Sequence, residues 1–173
     1  MRRASLLSLA VVGLAVAACS TTTPAPPSEN AGPSGAPQPI PGYDWFLSTD
    51  GSQAKLAYGA ERSDDLKLSL ECTSGTGQFD LTASAADGAA PEIHLESGGD
   101  NERYSAQAEP AVVHDGLVLT AQARSDAPVF QRFRRVGWMA AWHGDIRETY
   151  VPQPASVGRI EQFFALCTRG SGT

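Results

Sequence analysis

The stretch Leu66-Lys67-Leu68-Ser69-Leu70-Glu71-Cys72 alternates apolar and polar residues without a break. That is the period of a strand with one buried face. Leu66, Leu68, Leu70 and Cys72 share the inner side, and Lys67, Ser69 and Glu71 the outer. A helix would scatter those leucines around its circumference, so this segment demands a sheet to lie in and a core to face.

Shorter runs of the same period surround it. Tyr43–Ser48 and Gln53–Tyr58 flank Asp50-Gly51, a hairpin signal. Phe79, Leu81 and Ala83 alternate with polar residues, as do the residues of Glu92–Glu96. Tyr104, Ala106 and Ala108 line one face of a further strand, and Leu117, Leu119, Ala121 and Ala123 another. Turn signals separate these runs at Ser74–Gly77, Asp87-Gly88, Gly98–Asn101 and Asp115-Gly116. Val129–Trp142 reads as a strand with a bulge or break near Gly137, because the alternation fails around Phe133–Val136. Trp138 and Trp142 share parity with Val136 and Ala140, which predicts core packing rather than a carbohydrate platform. Ile146–Val151 completes the set. Pro152 and Pro154 then end the strands. Ser156 reads as a helix N-cap, and Val157, Ile160, Phe164 and Cys167 fall on one face at helical spacing, with Phe163 beside them and Gly170 as the stop. The expectation is a mainly β domain over residues 43–170: an antiparallel β-sandwich or half-open barrel of about nine short strands with one C-terminal α-helix.

The N-terminus reads differently. Met1-Arg2-Arg3 precedes an apolar run from Leu6 to Ala18, the form of a signal peptide over residues 1–18. Val16-Ala17-Ala18-Cys19 resembles the lipobox of bacterial lipoproteins. The resemblance implies that Cys19 is lipidated and becomes the new N-terminus, with Ser20 after it favouring the outer membrane. Residues 19–42 are rich in Pro, Ser, Ala and Gly, with too little apolar material to offset ordering, and read as a disordered tether. The expected localisation is the cell envelope, lipid-anchored and facing the periplasm.

With Cys19 assigned to lipid, Cys72 and Cys167 remain of the three cysteines. An exported compartment is oxidising, and both residues point into the core, so a disulfide that staples the helix to the sheet is expected. Removing the leader takes away two arginines and moves the formal charge from −6 to −8. An acidic surface argues against nucleic acid as a partner.

Candidate contact residues are few. Arg132, Arg134 and Arg135 form a basic cluster among Phe130, Phe133 and Trp138, which is the composition of an interface hot spot. The plainer reading pairs those arginines with the abundant acids. The layout of a strand ending in Cys72, then Phe133-x-x-x-Gly137, then Phe163-Phe164-x-x-Cys167 looks like that of small bacterial envelope proteins, and is faintly similar to accessory lipoproteins of type VI secretion. Ser97-Gly98 with Arg103-Tyr104 loosely resembles the Ser-Gly-x-x-Tyr loop of periplasmic lysozyme inhibitors, with a longer spacing here. His94, His114 and His143 lack the spacing of a zinc site, and no Gly-x-Ser-x-Gly elbow is present. No catalytic residue, metal or cofactor is expected. The expected function is a membrane-anchored, non-enzymatic binding or structural module with a protein partner in the envelope. An inhibitor of a lysozyme or protease is the first alternative, and a hydrolase or metal-dependent enzyme the second.

Overall fold

The computed structural model describes residues 36–112 and 115–168. The leader, Cys19, Gly170 and His114 lie outside the described residues. Among the described residues, ten strands form two antiparallel sheets. The larger contains β1 (Tyr43–Asp50), β2 (Gln53–Ala60), β3 (Leu66–Thr73), β4 (Gln78–Ala85), β7 (Gln107–Pro110) and β8 (Leu117–Arg124), in the order β1-β2-β3-β4-β8-β7. The smaller contains β5 (Glu92–Ser97), β6 (Asp100–Ser105), β9 (Met139–His143) and β10 (Ile146–Tyr150), in the order β10-β9-β5-β6. The mainly β, sandwich-like architecture is as expected, and Leu68, Leu70 and Cys72 of β3 are buried at its centre.

Two departures have physical reasons. The segment expected as a strand from Val129 is a helix, α1 (Pro128–Val136). Pro128 stands in the first helical turn, where its missing N–H costs nothing. Val129, Phe130 and Phe133 are buried on one helical stripe. Gly137 closes the helix at φ 79°, its N–H donating to the Phe133 carbonyl at 2.8 Å. The expected break at Gly137 is therefore a helix stop. The second departure is at Tyr104–Ala108, where one expected strand is two. Ala106 donates to the Pro91 carbonyl at 2.9 Å, and the chain passes from the smaller sheet to the larger.

The C-terminal helix, α2 (Val157–Thr168), follows a short 3-10 turn at Pro154–Ser156. Ser156 is not its N-cap: the hydroxyl donates to the Asp44 carboxylate and ties the turn to β1. Ile160, Phe163, Phe164 and Cys167 are buried, while Val157, expected on the same face, is exposed. Both helices send rings between the sheets. Phe79 of β4 meets Phe130 at 5.1 Å, Phe163 at 5.2 Å and Phe164 at 5.6 Å, and Trp45 of β1 meets Phe133 at 5.0 Å. Cys72 and Cys167 are disulfide-bonded, their Cα atoms 5.8 Å apart. The β3–β4 turn also caps α2, with Gly75 and Gly77 donating to the Leu166 and Cys167 carbonyls. Those carbonyls have no partner within the helix, so the turn and the disulfide hold one end together.

Candidate functional site

Strand register builds a polar and aromatic face on the outside of the smaller sheet. Arg147, Trp142, His94 and Arg103 lie in one row across β10, β9, β5 and β6. Thr149, Ala140, Glu96 and Asn101 form the next. Trp138 precedes β9 with the parity of that second row. The two tryptophans are therefore outside the sandwich and half-buried, not in the core as their parity with Ala140 suggested. Ala140 itself is 0% exposed although it faces outward, because the larger side chains of this face close over it.

Glu96 is the hub. Its carboxylate accepts from the Arg147 guanidinium at 2.9 and 2.7 Å and from the Trp142 indole N–H at 2.8 Å. Hydrogen bonding from Arg147 lowers the Glu96 pKa, with help from Trp142 and against partial desolvation. The same bond raises the pKa of Arg147. The guanidinium lies 5.4 Å from the centre of the Trp138 ring, a cation–π contact. The His94 ring stacks on Trp142 at 5.9 Å. The charged groups thus satisfy one another and fix two indoles in place. Rigid aromatic surface whose carboxylate, guanidinium and Trp142 indole N–H are already engaged is the kind of face that binds a partner at low entropic cost.

The β5–β6 turn and the end of α1 border this face. Arg132 donates to the Gly98 carbonyl at 3.1 Å and forms an ion pair with Asp100. Gly98 has φ +55°, and an added Cβ would meet Val136 at 3.4 Å and Arg132 at 3.6 Å. Ser97 is 0% exposed and donates to the Trp138 carbonyl at 2.8 Å, so it supports the turn and offers no contact surface. Arg132, Ser97 and Gly98 are therefore one unit. Of the other candidates, Arg103 lies at the end of the first row of this face, and Arg134, Arg135 and Tyr104 are elsewhere. Arg134 is held by Glu161 at 2.6 and 2.5 Å and covers the Phe164 ring, the plainer reading of that arginine. Arg103 pairs with Glu92. Tyr104 packs on Phe130 at 5.9 Å and donates to Glu102, its pKa raised chiefly by burial. Arg135 is exposed at the end of α1.

The end of the sandwich carries a different chemistry. His143 lies 3.7 Å from Glu148, beside a groove of about 550 Å³ that Asp64, Asp65, Lys67 and Asp115 also line. His94 belongs to the outer face instead, so these two histidines serve separate surroundings. Among the described residues, no group of three or more His, Cys, Asp or Glu side chains is placed to hold a metal ion.

No family model, curated protein or solved structure matches the chain. Sequence reasoning missed Glu96, Arg147 and the two tryptophans as a site because Met139-Ala140-Ala141 fits either parity. The available signal was the outer-face pairing of Glu96 with Arg147 across one intervening strand.

Proposed function

We propose that this chain is a lipid-anchored envelope protein whose β domain binds a protein partner and performs no catalysis. The carrying observation is the Glu96 hub, which presents Trp138, Trp142 and Arg147 as a fixed outward face. Two features support the address. Val16-Ala17-Ala18-Cys19 has the lipobox pattern, and the Cys72–Cys167 disulfide suits an oxidising compartment. Affinity capture from crosslinked envelopes tests the function. Asn101→Arg, an exposed change on this face at the position paired with Glu96 across β5 and β6, should lose a stoichiometric partner that the unaltered protein retains. Capture of the same partner by both would contradict the reading. For the anchor, Cys19→Ala should release the protein from the membrane fraction and abolish fatty-acid labelling, and unchanged fractionation would contradict it.

A second reading has one observation of its own. Arg132 holds the Gly98-Gly99 turn through Gly98 and Asp100, and a stiff projecting turn is what an inhibitor of a lysozyme or protease inserts into a cleft. Full activity of a panel of such enzymes in excess protein would remove it.

A further inference from the structure

β10 divides two surfaces. Arg147 and Thr149 belong to the outer face, so by strand alternation Glu148 and Tyr150 point to the other side. A cavity of about 370 Å³ is lined from both sheets, by Tyr43, Tyr58 and Lys67 of the larger and by Glu148 and Tyr150 of the smaller, beside Arg147. Ligand sites run from about 300 to 1,000 Å³, so this one suits a side-chain-sized ligand rather than a large cofactor. Its wall is made of rings. Tyr58 lies between the other two tyrosines, 6.0 Å from Tyr43 and 4.8 Å from Tyr150. The three hydroxyls differ. Tyr43 donates to Asp65, and Tyr150 donates to Glu148 at 3.3 Å. Tyr58 is 1% exposed, and its hydroxyl has no hydrogen-bond partner among the described residues. Folds leave few such groups, and each calls for a reason. In a cavity wall, the reason is a ligand's polar atom.

Charge narrows the ligand class. Arg147 is bidentate on Glu96, and the Lys67 ammonium is 2.9 Å from Asp65. Glu148 is left over. Its Oε2 accepts from Tyr150 and lies 3.7 Å from His143 Nε2, while Oε1 has no hydrogen-bond or ion-pair partner among the described residues. The pKa of Tyr43 is raised first by its hydrogen bond to Asp65, and those of Tyr58 and Tyr150 first by burial. The charge on Glu148 adds to all three, so this carboxylate acts on every ring of the wall. A cation is attracted by the carboxylate and by the ring faces alike. The fold already makes one such match, with the Lys67 ammonium 5.7 Å from the centre of the Tyr43 ring. An ammonium also donates hydrogen bonds, which a phenol oxygen and a carboxylate both accept.

We propose that this cavity binds a primary alkylammonium group, carried by a small amine or by a lysine side chain, with Tyr58 and Glu148 accepting its hydrogen bonds and the tyrosine rings facing it. The site is separate from the indole face and does not rest on the partner reading. The test is an NMR titration of the full chain carrying Cys19→Ser with three probes: N-acetyl-lysine methylamide, cadaverine and the uncharged N-acetyl-norleucine methylamide. The ring resonances of Tyr43, Tyr58 and Tyr150 should shift saturably with at least one of the two amines and not with the norleucine derivative. Saturation by cadaverine assigns the site to free amines, and saturation by the lysine derivative alone assigns it to a protein side chain; either supports the proposal. Tyr58→Phe and Glu148→Gln should each weaken binding about tenfold, the scale of a hydrogen bond to a charged group. Tyr58→Phe should do so with no loss of thermal stability, which separates a lost contact from a damaged fold. The absence of a saturable shift with both amines would overturn the proposal. Equal shifts with the norleucine derivative, or undiminished binding by either variant, would overturn it too.

Discussion

Glu96 gathers three donated hydrogen bonds on one carboxylate, and its side chain is only 17% exposed. Its pKa is lowered in the fold, so the unfolded chain takes up the proton first as pH falls. The stabilisation is fully present above the ordinary carboxylate range and is lost as pH drops through the folded value. Urea unfolding should therefore show wild-type stability falling more steeply than that of Glu96→Gln between about pH 5 and pH 3. Parallel pH profiles for the two proteins would contradict the hub. Gly98→Ala places a Cβ at φ +55° against Val136 and should lower stability by about 1 kcal/mol or more, read by thermal unfolding. Tyr58 behaves in the opposite sense. Burial raises its pKa to about 12, and its hydroxyl has no hydrogen-bond partner, the Val151 backbone coming close without bonding geometry. Tyr58→Phe should be neutral or stabilising by up to about 1 kcal/mol in the same assay, since it removes an unsatisfied buried group.

At the level of elements, the strands with clean alternation were legible and α1 was not. β3 declares its two faces in seven residues. Val129–Val136 carries Phe130 and Phe133 three apart, with Gln131 and Arg132 between and Arg134 and Arg135 after, a pattern that a poor strand and a short helix share. The deciding signals were Pro128 at one end and Gly137 at the other, together with Arg134 and Arg135 in the last turn. Once α1 ends at Gly137, the parity of β9 is set by the sheet it joins, and that puts Trp142 outside. No local property of Trp138 or Trp142 says so. The pairing of Cys72 with Cys167 was legible because both sat on apolar faces of well-defined elements. It closes a loop of 95 residues, worth roughly 4 to 5 kcal/mol in the chain-entropy model. Cys72→Ala with Cys167→Ala should therefore shift the urea midpoint strongly downward, and an unshifted midpoint would mean that the turn-to-helix hydrogen bonds hold α2 without it.

For the whole molecule, the sandwich follows from strands that must each bury one face, and two sheets closing over aromatic helices meet that need. Where β6 gives way to β7 lay beyond sequence reasoning, because the change of sheet at Ala106 is dictated by what lies across from it. The same holds for the candidate face, which exists only after β5, β9 and β10 are side by side. The two surfaces of the sandwich are then unlike: the larger sheet presents Asp80 and other short polar groups outward, while the smaller presents fixed indoles. That asymmetry is the centre of the functional account, and site-specific photocrosslinking in intact envelopes reads it directly. A photoreactive residue at Asn101, on the smaller sheet, should capture one dominant partner, and the same residue at Asp80, on the larger, should not. Equal capture from both positions, or capture from Asp80 alone, would contradict the account.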